Sequence, residues 1–365
     1  MTATSLGKLC GFNLLEKFTV SNNRPFREQD FQRIAEWGFD FVRLPMDYRC
    51  WTLNGNFYEI NDIVLKEIDQ AIEFGKKYGI HVNICLHRAP GYCINWPLEP
   101  VSLWTDEEAI DACEYYWRIF AKRYKDFENR YVSFNLVNEP IAGDPSKDPR
   151  ATTMDKYRDF CKRMLQSIRD VDEDRLVIAD GLITGEGYQP VPGIDDPFFG
   201  QSFHMYEPGW LTHLGAIWVY PYYIYNEKPE YPGEAPNLDK YIDSPYRWAF
   251  LKWKGVYVDR SWIEKWMKPY LDLKDKGIFV HCGEMGVFSA RVDRKSMLNW
   301  YRDVLGVLSE HGVGWALWNL KGPFGIIETG REEFLTETLP NGDRLDKELF
   351  NLICSFLNKR VHGGC

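Results

Sequence analysis

The sequence contains no apolar run long enough to cross a bilayer, and its opening residues, 1–9, lack both the cationic start and the apolar core of a secretion signal. It also lacks any Asn-x-Ser/Thr sequon. These absences lead to the expectation of a cytoplasmic protein with no membrane partner. A basic excess is missing as well: 44 Lys and Arg stand against 53 Asp and Glu, a net charge of -9, which argues against a nucleic-acid partner because phosphate binding needs a cationic surface. No His-x-His, His-Glu-x-x-His or Cys-x-x-Cys occurs, so no metal site is expected. No Rossmann fingerprint or Walker loop is present. The nearest thing to a phosphate loop, Lys321-Gly322-Pro323-Phe324-Gly325, places a Pro and a Phe where free amides would be needed. The chain is therefore read as needing no cofactor.

Nine cysteines are present, an odd number scattered from Cys10 to Cys365, and reduced thiols are expected rather than a disulfide framework. There is no internal repeat, low-complexity tract or linker, so residues 1–365 read as one domain. Oligomeric state is left open. What the chain does have is a core-forming composition, 45% hydrophobic and 27% charged, with an unusual 16% of aromatic residues including 14 Trp.

Short β-branched and aromatic runs alternate with longer amphipathic stretches. Strands are predicted at 8–12, 39–44, 80–86, 131–137, 176–179, 199–204, 278–283 and 313–318. Clear helices fall at 27–37, 62–78, 106–124, 153–170, 262–276, 295–310 and 346–357, with Thr105 and Glu108 offering a capping box for the third. This order predicts an α/β fold, a single (β/α)8 TIM barrel, with a doubly wound sheet as the alternative. A long insertion follows the sixth strand, at about 207–260. From Met205 to Trp266 it holds 16 aromatics in 62 residues. Such a loop either packs on itself or offers rings to sugars, whose CH faces stack on aromatic faces.

In a barrel the chemistry sits where strands end. The predicted strand ends supply Arg43, His87, Asn138 with Glu139, His204 with Tyr206, Glu284 and Trp318. Glu139 directly follows an apolar run and precedes Pro140, which ends the ladder. Glu284 follows 278–283 in the same way. Two carboxylates delivered from opposite sides of a barrel mouth are what glycoside hydrolysis requires: one protonates the leaving oxygen while the other attacks or activates water. One difficulty is that strict strand alternation would send Asn138 and Glu139 to opposite faces, so a bulge or the strand's end must turn both inward. Of the remaining histidines, His281 stands beside Glu284, while His81, His213, His311 and His362 lie far from strand ends and read as structural.

Asn138-Glu139-Pro140 and Glu284, together with Arg43 in Phe41-Val42-Arg43-Leu44-Pro45, His87 in Leu86-His87-Arg88-Ala89-Pro90-Gly91, His204-Met205-Tyr206 and Trp318-Asn319, resemble the active-site set of family 5 glycoside hydrolases of clan A. These are cellulase-like retaining (β/α)8 enzymes, and the resemblance runs in order from Gly11 to about Arg344. It implies Glu139 as general acid/base, with a pKa raised by burial and the second carboxylate, and Glu284 as nucleophile, held ionised by Arg43 and the Tyr206 hydroxyl. It further implies Asn138 on the sugar 2-hydroxyl, His87 and His204 orienting the carboxylates and binding hydroxyls, and Trp318 as floor of the reacting subsite. Trp51, Trp96 and Trp210 are candidate sugar platforms.

The expected partner is a β-linked oligo- or polysaccharide, and the expected activity is endo-cleavage of β-1,4-linked or mixed-linkage β-glucan. A β-mannanase, or an exo-acting β-mannosidase or β-glucosidase, is the nearest alternative. Outside that class stand a non-catalytic carbohydrate-binding barrel and a barrel lyase or isomerase using Glu284 and His204 as a proton-transfer pair. The Glu139–Glu284 pair with Arg43 and Tyr206 disfavours the former, and the missing metal and phosphate motifs disfavour the latter.

Overall fold

The eight apolar runs form eight strands whose residues are all buried, as expected of a parallel sheet covered on both faces. In the computed structural model, which describes residues 6–357, these are β1 (Cys10–Asn13), β2 (Phe41–Asp47), β3 (His81–Arg88), β4 (Val132–Asn135), β5 (Val177–Asp180), β6 (Phe199–Met205), β7 (Phe279–Met285) and β8 (Gly314–Leu317). Each pairs in parallel with its sequence neighbours, and β8 pairs with β1 to close the barrel. The crossovers carry α1 (Glu28–Glu36), α2 (Asp62–Tyr78), α3 (Glu107–Tyr124), α4 (Met154–Arg169), α5 (Arg260–Asp275) and α6 (Arg294–Glu310), and α7 (Lys347–Cys354) follows β8.

Helix α3 is capped differently from the expectation. The Asp106 carboxylate, not Thr105, accepts from the Glu108 and Ala109 amides, because the helix starts one residue later and aspartate is a strong N-cap. Between β5 and β6 no helix is present. A hairpin of Leu182–Thr184 and Gly187–Gln189 stands there instead, joined with Ile141–Ala142 and Ala151–Thr152 in a four-stranded sheet on the rim. The stretch between β6 and α5 folds into four short helices, Gly209–Thr212, Tyr220–Ile224, Asp239–Ile242 and Arg247–Leu251.

The lower barrel is apolar, filled by Leu9, Phe41, Leu176, Ile178, Phe279 and Ala316. His81 and His281 flank the Phe41 ring at 5.7 and 4.3 Å, and burial lowers both to about 3, so they are neutral packing groups. Two residues further along β2 and β5 the lining turns polar: Phe41 gives way to Arg43, and Ile178 to Asp180. The site is built on that upper layer. Among the described residues no disulfide links the cysteines, and no helix is long and apolar enough to cross a membrane. Cys365 and His362 lie outside the described residues.

Candidate active site

The alternation problem at Asn138 and Glu139 is solved by the backbone. Strand β4 ends at Asn135, and Glu139 takes a left-handed φ of 49°, uncommon for a residue with a side chain. Three contacts hold it there. Its amide donates to Asp180 Oδ2 at 3.1 Å, its carbonyl accepts from the Tyr92 hydroxyl, and the Pro140 carbonyl accepts from the Ile183 amide at 2.7 Å.

Glu284 reaches the mouth by a bulge. Phe203 pairs with Cys282 but His204 pairs with Glu284, so the register slips at Gly283 and turns Glu284 to the side that alternation would have denied it. Only glycine fits at the slip, since a Cβ there would lie 2.7 Å from Ser202 Oγ and 3.2 Å from His204 Nε2.

Arg43 is the hub beneath Glu284 and Asn138. Its Nη1 donates to Glu284 Oε1 at 2.6 Å and to Asn13 Oδ1 at 3.1 Å; its Nη2 donates to Asn138 Oδ1 at 2.7 Å and to Cys85 Sγ at 3.0 Å; its Nε donates to Asn135 Oδ1 at 3.0 Å. Because Arg43 fixes the Asn138 oxygen, the amide nitrogen Nδ2 is left with no protein partner and a fixed aim. The other oxygen of Glu284 accepts from the Tyr206 hydroxyl at 3.0 Å.

The two histidines of the mouth differ in charge. Asn95 Nδ2 stands 3.1 Å from His87 Nε2, which accepts, so the ring proton is on Nδ1, 4.0 Å from Glu284 Oε1. Burial and then Arg43 hold His87 neutral, at about 3. His204 faces carboxylates on every side: Nδ1 lies 2.8 Å from Glu139 Oε1 and 3.5 Å from Glu284 Oε2, and Nε2 lies 3.3 Å from Asp180 Oδ2. Burial lowers it, but Glu284 and Asp180, with the Glu139 hydrogen bond, overcome that and drive it up to about 10.

This inverts the expected division between the glutamates. Burial pushes Glu139 up, but the His204 hydrogen bond and charge, then the Tyr188 hydroxyl, outweigh it and hold the carboxyl down at about 2. Glu284 is raised, chiefly by burial, with Glu139 and Asp180 adding to the rise and His204 and Arg43 opposing it. The cause is the imidazole, which holds the proton that burial alone would have kept on Glu139. The pair shares one proton, and the total charge is the same whether His204 or Glu139 carries it.

An oxygen of each glutamate and a ring nitrogen of His204 lie within 4.8 Å of one another. Such spacing could hold a metal ion, but the Arg43 guanidinium 2.6 Å from Glu284 already supplies the positive charge there. Facing oxygens this close suit the close carboxyl pair of a retaining reaction.

Two residues of the cluster escaped the sequence reading. Asp180 ends β5, one residue past the predicted strand; it accepts from Asn135 Nδ2 at 2.9 Å and lies 3.6 Å from Arg43. Burial raises its pKa, but His204 and Arg43 reverse this and hold it well below the ordinary aspartate value. Its position at a strand end was the available signal. Tyr188, on the rim hairpin, donates to Glu139 Oε1 at 2.7 Å, and nothing in its neighbourhood in the sequence marks it.

Trp318 sits beside this cluster, its ring 5.5 Å from His87 and 5.3 Å from Phe18. Of the candidate platforms, Trp96 is 73% exposed, on a loop strapped by Arg88 to the Asn95 and Pro97 carbonyls and by Arg150 to the Ile94 carbonyl. Trp51 and Trp210 are corrections. Trp51 is 1% exposed and packs against Tyr116 and Phe120; Trp210 is fully buried and meets Trp253. Both are anchors of their loops. Within the insertion Trp218 is exposed instead, at 53%, and touches Phe324, whose ring lies 5.8 Å from Tyr206. His213, read as structural, packs 5.0 Å from the Tyr206 ring, and His311 lies 3.8 Å from Glu264.

Comparison with known proteins identifies the family. A family model described as Cellulase (glycosyl hydrolase family 5) matches residues 11–323. Endoglucanase C of Acetivibrio thermocellus is 30% identical over 298 residues, 80% of this chain and 83% of that protein. Cellodextrinase A of Ruminococcus flavefaciens is 25% identical over 292 residues, 79% of this chain and 76% of that one. Among solved structures, a glycoside hydrolase superposes with a TM-score of 0.83 at 33% identity, over 96% of this chain and 100% of that one.

Proposed function

The chain belongs to glycosyl hydrolase family 5 and is a glycoside hydrolase, and from that premise we propose that it is a retaining endo-β-glucanase acting on β-1,4-linked or mixed-linkage β-glucan by double displacement. Glu139 is the acid/base and Glu284 the nucleophile. In the first step a Glu284 oxygen bonds to C1, the C1–O pair leaves with the glycosidic oxygen, and that oxygen takes the proton of Glu139. In the second, Glu139 removes a proton from water, whose oxygen bonds to C1 and frees Glu284. The observation that carries this reading is the carboxylate pair with facing oxygens within 4.8 Å, one member gripped by Arg43 and Tyr206 and the other held by His204 and Tyr188. The unpartnered Asn138 amide supports a role as donor to the sugar 2-hydroxyl. Product lengths from cello-, manno- and mixed-linkage oligosaccharides, with the anomer followed by NMR in the first turnovers, test it. Mid-chain cleavage of glucans with retention is expected; inversion, or manno-oligosaccharides as the better substrates, overturns it.

Tyr206→Phe tests the nucleophile's environment. The hydroxyl stabilises the charged form of Glu284, so its loss raises that carboxyl further, and the acid limb of kcat/KM moves up by about one pH unit. The alkaline limb, set by the proton that Glu139 and His204 share, moves less. An unmoved acid limb would take Tyr206 out of this role.

The rings divide by distance from the reacting bond. Trp318→Ala is expected to lower kcat on short and long oligosaccharides alike, because the floor of the reacting subsite holds the sugar while it distorts. Trp96→Ala and Trp218→Ala are expected to raise KM roughly fivefold to tenfold on long substrates and leave short ones unchanged. Equal effects on both lengths would make Trp96 and Trp218 loop anchors.

A further inference from the structure

We propose that Tyr188 is a positioning residue for the acid/base: its hydroxyl fixes Oε1 of Glu139 as the accepting oxygen, so that Oε2 is the one that passes the proton to the substrate. The inference rests on the acid/base reading of Glu139 above.

The fold commits an unusual element to this contact. Where the barrel order calls for a helix after β5, the chain builds the hairpin Leu182–Thr184 and Gly187–Gln189, with Ile183 opposite Tyr188. The same Ile183 pairs with Ile141, two residues past Glu139, so one strand of the small sheet ties the tyrosine's strand to the strand that follows the glutamate. Gly187, at a φ of 121°, sets the entry to Tyr188, and a Cβ there would come within 3.0 Å of the Trp266 indole. The Tyr188 ring is held from two sides, 6.1 Å from Trp266 and 5.6 Å from His204. Its aim is therefore set by packing before any sugar arrives.

Oε1 of Glu139 takes two hydrogen bonds, 2.7 Å from Tyr188 and 2.8 Å from His204, and these are the carboxyl's partners among the described residues. With both on one oxygen, the other is left to face the leaving group. As the proton moves from Oε2 to the glycosidic oxygen, negative charge develops on a carboxyl whose donors are already in place, so no reorganisation is required in the transition state. Other groups face Glu139 too: His87 from β3, Asp180 beneath its amide, Glu284 from β7, Tyr92 on its carbonyl, and more distantly Tyr206, Cys85 and His213. Tyr188 differs from His204 in being a neutral donor throughout the working range, since burial and the Glu139 charge push its phenol well above the ordinary value. Its hydroxyl can thus be removed without changing the charge of the cluster, and Phe retains the ring.

The test is Tyr188→Phe, assayed by kcat/KM on a cello-oligosaccharide and on a dinitrophenyl β-cellobioside, whose leaving group departs without an acid. Losing one hydrogen bond to a charged carboxyl is expected to lower the first about tenfold to a hundredfold and leave the second within about twofold. The donor favours the carboxylate, so its loss raises the affinity of Glu139 for the proton, and the alkaline limb on the oligosaccharide moves up by about one pH unit. Equal losses on both substrates, or an unmoved alkaline limb, would reduce Tyr188 to a packing residue. Glu139→Gln run in parallel separates the two claims. If it shows the leaving-group dependence and Tyr188→Phe does not, the inference about Tyr188 falls alone; if it shows none, the acid/base reading falls with it.

Discussion

Glu284→Gln is expected to lower kcat/KM on a cello-oligosaccharide by roughly 10⁵-fold, the scale on which loss of a covalent nucleophile is felt. The amide cannot form the glycosyl-enzyme ester, and no other carboxylate stands on that face with the same grip from Arg43 and Tyr206. The fold should tolerate the change. The Gln oxygen can still accept from Arg43, whose charge keeps Asp180 at 3.6 Å, and one of the three carboxylates crowding His204 is gone. The thermal midpoint is expected within about 5 °C of wild type. A loss smaller than about tenfold in a folded variant would remove Glu284 from the nucleophile's role.

Glu139→Ala is expected to lower kcat/KM on the same oligosaccharide by about 10³–10⁴-fold, near the upper range for a positioned acid. Its signature differs from that of the nucleophile. With a dinitrophenyl glycoside the first step needs no proton, so kcat/KM should fall little, while kcat should collapse because no base activates water. Azide, a nucleophile that needs no base, is then expected to restore turnover and give the β-glycosyl azide. Equal loss on both substrates with no response to azide would show that Glu139 does not transfer the proton. His204 enters this result, because its Nδ1, 2.8 Å from Oε1 of Glu139, shares the charge of that carboxyl and sets its affinity for the proton.

Some of this was open to reading along the chain. The eight strands come from short apolar runs and the seven helices from a period of 3.6 residues, and both signals are local. Glu139 and Glu284 stood out because each follows an apolar run, and Pro140 marked where the first strand must stop. Exposure was less legible. Trp51, Trp96 and Trp210 read alike, each in a loop beyond a strand, yet α3 covers the first and the insertion covers the third, leaving Trp96 in solvent. The rim hairpin was missed because its two strands are three residues each, too short for any period to declare itself.

The amino-acid sequence by itself determined the barrel, the order of its strand ends and the residue types delivered to the mouth, since all of these follow from patterning within a few neighbouring residues. Tertiary structure decided how those groups act on one another. A slip at Gly283 and a left-handed Glu139 turn both carboxylates inward, and closure of the barrel brings β4, β5, β6 and β7 around His204. Where the proton rests depends on that gathering, because its energy is set by charges a few ångströms away in space and scores of residues apart along the chain.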